Sequence, residues 1–107
     1  MTEQTQLSQL ATQLEVITDE YAEAEYNAAV AQNAFDKAYA IAYATAVADG
    51  AKSVAAAERE AFHATLDEKA TLGLADSAVK VCDKRWKAVD KRLSAAQSYY
   101  RFVRDQT

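Results

Sequence analysis

The chain has 107 residues, no proline, two glycines and 25 alanines, with 16 acids against 12 bases for a net charge of −4. At this length one domain is expected, and an alanine-rich chain without proline predicts long helices and an all-α fold. The lone cysteine (Cys82) and lone histidine (His63) exclude an internal disulfide and a structural zinc site made by this chain alone.

The opening Met1-Thr2-Glu3-Gln4 has neither a basic nor an apolar region, so no secretory signal is expected. From there Leu7, Leu10, Leu14, Ile17, Tyr21, Ala24, Ala28, Ala31, Phe35, Ala38 and Ala42 recur at alternating steps of three and four. That is a heptad seam on a helix, and it predicts a first helix over about 8–48. The stretch 38–48 is the least polar in the chain and about half the length of a membrane-spanning helix. A soluble cytoplasmic protein with no membrane partner is therefore expected.

Asp49-Gly50 ends this pattern. Glycine suits the left-handed position just past a helix, and Ser53 suits the N-cap of the next, so 49–52 is predicted as a turn. The expectation is a single helical-hairpin domain over 1–107, antiparallel and coiled-coil-like, with a second helix over about 53–104. Within that second helix Leu72, Ala75, Val79, Cys82, Trp86, Val89, Leu93, Ala96, Tyr100 and Val103 form a cleaner seam. Carried backwards, its frame would place Glu68 and Glu58 inside, while Phe62 and Leu66 define a separate apolar line. A slip in phase, seen as a kink or short break, is expected within 67–73.

Several apolar side chains of the first helix lie off its seam: Val16, Tyr26, Val30, Ile41, Tyr43 and Val47. A two-helix layer cannot cover both sets, so a homo-oligomer or a bundle with a partner is expected, with Trp86, Leu93 and Tyr100 as interface anchors. With Val79, Trp86, Leu93 and Tyr100 as heptad position a, Arg85 and Arg92 fall at g, and Asp76, Asp83 and Asp90 at e. Arg85 could then reach Asp90 of a parallel second copy, although ordinary scatter of surface charge explains the spacing equally well.

Charge is unevenly spread. Residues 80–107 hold eight bases and three acids, a net +5, which leaves −9 for residues 1–79. Lys80, Lys84, Lys87 and Lys91 occupy the outward positions b and f, and Arg101 and Arg104 extend the basic tail. Together with Arg92, the cations Lys84, Lys87, Lys91, Arg101 and Arg104 are the candidate nucleic-acid contacts, with Tyr99 and Phe102 available to stack on unpaired bases. The plain alternatives are a solvated lysine row and aromatics packed in an oligomer. A further one is partial neutralisation in the hairpin, which sets Glu15, Asp19, Glu20, Glu23 and Glu25 near Lys80, Lys84 and Arg85. No phosphate loop, metal-ligand spacing or nucleophile set is present, so the expectation is a non-enzyme without cofactor or metal. Cys82 reads as a small buried hydrophobe and His63 as a surface or cap residue.

The acidic-alanine run Glu20-Tyr21-Ala22-Glu23-Ala24-Glu25-Tyr26, the helix end from Lys37-Ala38-Tyr39 to Gly50, and the tail Lys91-Arg92-Leu93-Ser94-Ala95-Ala96-Gln97-Ser98 resemble small helical proteins of bacteriophage recombination clusters. More remotely they resemble UvsY-type recombination mediators. The resemblance implies a homo-oligomer in the bacterial cytoplasm that binds single-stranded DNA and helps load a recombinase. Where those mediators carry a DNA-contacting lysine–arginine pair, this chain has Lys37-Ala38-Tyr39, with lysine and no arginine, which moves the expected DNA contacts to the tail. A likeness to the secreted WXG hairpins is weaker: no tryptophan flanks the turn, and Arg104 stands four residues after Tyr100 in place of an acid. The other function open to the sequence is a coiled-coil interaction module, a structural adaptor or an inhibitor of a host protein, without nucleic-acid binding.

Overall fold

A computed structural model describes residues 2–106, with side chains described from residue 5. It contains three helices, α1 (Thr2–Ala48), α2 (Val54–Ala64) and α3 (Leu66–Gln106). The fold is an all-α helical hairpin, with no strand among the described residues. Both long helices feed two packed units, one joining Met1–Ala24 to Val79–Thr107 and the other formed by Glu25–Ala78.

In the first unit the α1 and α3 seams meet antiparallel. Ile17, Cys82 and Val89 are buried, with Leu7, Leu10, Leu14, Tyr21, Val79, Trp86, Leu93, Ala96, Tyr100 and Val103 half-buried around them. α1 begins at Thr2, six residues before the predicted start. The Tyr100 hydroxyl donates to Gln6 Oε1, so the first turns of α1 have a partner helix to lie against.

The second unit holds the reversal. Ala51 N–H donates to Ala46 O at 3.0 Å and Gly50 N–H to Val47 O at 3.1 Å, a Schellman cap with Gly50 at φ +95°. Ala46, only 3% exposed, forms the apolar side of that cap. Ser53, extended at φ −156°, accepts the Ala56 N–H at 3.1 Å and starts α2 as predicted. A Cβ at Gly50 would meet nothing within 4 Å, so Gly50→Ala carries only the left-handed backbone penalty. Gly73 is equally open but helical, where alanine is the better residue. Thermal or urea melts should therefore show Gly50→Ala losing about 1 kcal/mol and Gly73→Ala gaining about 0.5–1 kcal/mol.

The second helical arm breaks at Thr65, two residues before the predicted window. Thr65 is 2% exposed, takes φ −119° and ψ 22°, and donates its N–H to Phe62 O at 3.2 Å in a tightened turn. Its hydroxyl donates back to Ala61 O at 2.8 Å, so the one buried polar side chain among the described residues is satisfied. A hydroxyl bonded into the preceding turn bends a helix, and here it accompanies a full interruption. The α3 seam in fact continues backwards through Glu68, Thr65, Ala61 and Ala57, and slips by one residue only at Ala57. Glu68 is tolerated because it is half-buried and keeps access to water. Phe62 and Leu66 are exposed, so the separate apolar line they were expected to form is not the core line.

Opposite this arm, α1 contributes Ala31 and Ala46 as buried residues, with Ala28, Phe35, Ala38, Tyr39, Ala42 and Tyr43 half-buried. Lys69 of α3 lies 5.3 Å from the centre of the Phe35 ring, a cation–π contact between the two helices. Of the off-seam residues of α1, Val16, Tyr26, Val30, Ile41 and Val47 are exposed, and Tyr43 is half-buried.

Candidate nucleic-acid interface

The cationic segment lies wholly in the first unit. Successive heptad positions on α3 order themselves round the helix as a, e, b, f, c, g and d, so b and f face away from the seam. Lys80, Lys84, Lys87, Lys91 and Arg101 sit at b or f and are exposed. Among the described residues, Lys80, Lys84, Lys91, Arg92 and Arg101 make no ion pair. Lys87 differs: its Nζ bonds Asp83 Oδ2 at 2.9 Å, one turn back on the same helix. Arg104, near the end of α3, has Asp105 Oδ1 3.8 Å from its Nε.

Asp83 is the most engaged carboxylate here. The Lys87 ammonium holds its pKa below the usual carboxylate range, assisted by the Tyr21 hydroxyl, which donates to Oδ1 at 3.1 Å against an opposing burial effect. The same bond raises Lys87 above its ordinary value.

Arg85 reaches α1 of its own chain, where Nη1 bonds Glu20 Oε2 at 2.8 Å. With Leu14 and Tyr21 at position a of α1, Glu20 sits at g as Arg85 does on α3, and g faces g in an antiparallel pair. This arginine is therefore engaged within the hairpin. Trp86, Leu93 and Tyr100 lie half-buried on the intramolecular seam. Trp86 Nε1 donates to Thr18 Oγ1 at 3.0 Å, which ties the indole to α1.

The tail's charge has a counterpart within its own unit. Residues 1–24 carry five acids and no base, and residues 79–107 carry eight bases and three acids, so the first unit is neutral by sequence. Neutrality is achieved by opposed helices and not residue by residue, which leaves the ammonium groups of Lys80, Lys84 and Lys91 without an ion-pair partner among the described residues, while Lys87 is held by Asp83. Cys82 is buried. His63 is exposed at the end of α2, its ring 5.8 Å from Phe62. No helix is long and apolar enough, among the described residues, to cross a membrane.

One feature of this unit escapes a reading of the sequence by seams alone. Beside the lysine row, Val81, Ala88, Ala95 and Phe102 occupy four successive c positions, with Tyr99 at g. Val81, Tyr99 and Phe102 are 55%, 62% and 63% exposed. The spacing of seven was available in the sequence, but alanine at two positions and arginine at Arg85 and Arg92 mask it. The fold and this surface define an all-α hairpin with a cationic ridge and an adjoining apolar stripe. No family model, curated protein or solved structure matches the chain.

Proposed function

We propose that this chain is an oligomeric accessory protein that binds single-stranded nucleic acid, of the recombination-mediator kind. The observation that carries the reading is the outward row Lys80, Lys84, Lys91 and Arg101, exposed and without ion-pair partners among the described residues. Such a row follows a phosphate backbone through charge alone, without reading sequence. The single-strand preference and the link to a recombinase come from the resemblance of the three stretches quoted above.

Four phosphate contacts on a single strand give a salt slope of about −2.8, or about 50-fold weaker binding between 50 and 200 mM salt. A labelled oligonucleotide titrated at those two concentrations tests this. Lys84→Glu combined with Lys91→Glu should abolish binding and leave helix content unchanged, because neither side chain is engaged in an ion pair. Salt-insensitive binding, or none at 50 mM, rules the reading out.

A second reading is favoured by the neutral balance of the first unit and by its exposed apolar stripe. There the chain is an interaction module, an adaptor or an inhibitor that occupies a recombinase or host protein. It predicts a specific protein partner that survives nuclease treatment, and an oligonucleotide affinity unchanged by the double lysine variant.

A further inference from the structure

We propose that the c and g face of the first unit is the contact surface for a second copy of this chain, packed antiparallel with α3 crossing α3 at Ala88. The proposal deepens the assembly part of the reading above and holds whether or not the lysine row binds nucleic acid.

Three observations carry it. The first is the stripe itself, since Val81, Ala88, Ala95 and Phe102 repeat every seven residues and are all exposed. That is a second seam on a helix whose first seam already faces α1. The second is shape. An open groove of about 420 Å³ runs along this face, floored by Val16, Ile17, Ala88 and Val89, with Arg85 and Arg92 among its lining residues. Alanine at Ala88 and Ala95 lets another helix approach closely, and an antiparallel crossing at Ala88 sets Val81 of each copy over Ala95 of the other.

The third is charge. Arg85, bonded to Glu20, lines the groove on one side of Ala88, and Arg92 lines it one turn away on the other, without an ion-pair partner among the described residues. The antiparallel arrangement brings Arg92 of each copy to Glu20 of the other, so that carboxylate serves two guanidinium groups. The same register sets Arg92 near Arg85 of the other copy, with the Glu20 carboxylate between the two guanidinium groups. A parallel arrangement would oppose Arg92 to its own counterpart with no carboxylate between them. The area is also adequate. α1 residues 2–24 span about 35 Å at 1.5 Å per residue, and two helices side by side are about 20 Å wide. The face offers roughly 700 Å² per copy, close to the roughly 800 Å² per partner of a standard interface.

The test uses the full chain in three forms. Light scattering of the unaltered protein should give at least a dimer. Ala88→Cys should form a covalent dimer under mild oxidation, whereas Ser98→Cys, at an outward f position, and the unaltered chain with its buried Cys82 should not. Arg92→Glu should weaken the dimer at least about tenfold, because it places a negative charge against Glu20. A monomeric protein overturns both this inference and the assembly part of the proposed function. An oligomer that survives Arg92→Glu and gives no Ala88→Cys cross-link overturns this inference alone.

Discussion

Trp86→Ala should destabilise the first unit by about 2–3 kcal/mol, below the 3–5 kcal/mol of a fully buried tryptophan because the ring here is half-buried. Two effects add. The indole fills space on the seam between α1 and α3, and its N–H satisfies Thr18 Oγ1 at 3.0 Å. Trp86→Phe separates them, since it keeps much of the packing and removes the donor. It should cost only about 0.5–1.5 kcal/mol, the net worth of one hydrogen bond. In a chain of this size the alanine variant should melt about 10 °C lower or more. Hydrogen exchange then locates the loss, with protection falling in residues 5–24 and 79–103. If Trp86→Ala left stability unchanged, the indole would not be seated on this seam.

The seam that makes this prediction was legible in the sequence because the side chains of the first unit are large. Leu7, Leu10, Leu14 and Ile17 on one helix and Trp86, Val89, Leu93 and Tyr100 on the other stand out from polar neighbours at steps of three and four. All of them are buried or half-buried where the frame placed them. The turn was legible for a different reason: Gly50 is the one residue near the reversal that takes a positive φ without strain.

Legibility failed where burial is done by residues that carry little hydrophobic signal. Ala57, Ala61 and the C-cap Thr65 form the buried line of α2 and its end, yet Phe62 and Leu66, far more apolar, sit beside them and are exposed. Glu68 is accommodated on this line because a half-buried carboxylate can still be hydrated. The break at Thr65 accompanies a hydroxyl bonding back to Ala61 O, and threonine elsewhere in this chain makes the same bond without interrupting the helix, as Thr18 does to Leu14 O. Burial separates the two cases, since Thr18 is exposed and Thr65 is not. The cationic ridge was legible from heptad position alone, but the partners of Arg85 and Lys87 required the register of the two helices and the rotamers on them.

That contrast between the units gives the other large effect. Ala61 is 0% exposed and Ala57 is 1% exposed, in a unit whose α1 seam is mostly alanine. Close approach of backbones, rather than bulk, holds this part of the chain, so it should be sensitive to added volume instead of cavities. Ala61→Leu inserts three carbons where none fit and should cost about 3 kcal/mol, at the upper end for overpacking because two helices must separate along their length. Phe62→Ala, next door and half in water, should change stability by less than about 1 kcal/mol, although by hydrophobicity alone the order would be reversed. Urea denaturation followed by circular dichroism measures both. A larger loss for Phe62→Ala than for Ala61→Leu would mean that α2 presents its other face to α1 and that the buried line through Thr65 is wrong.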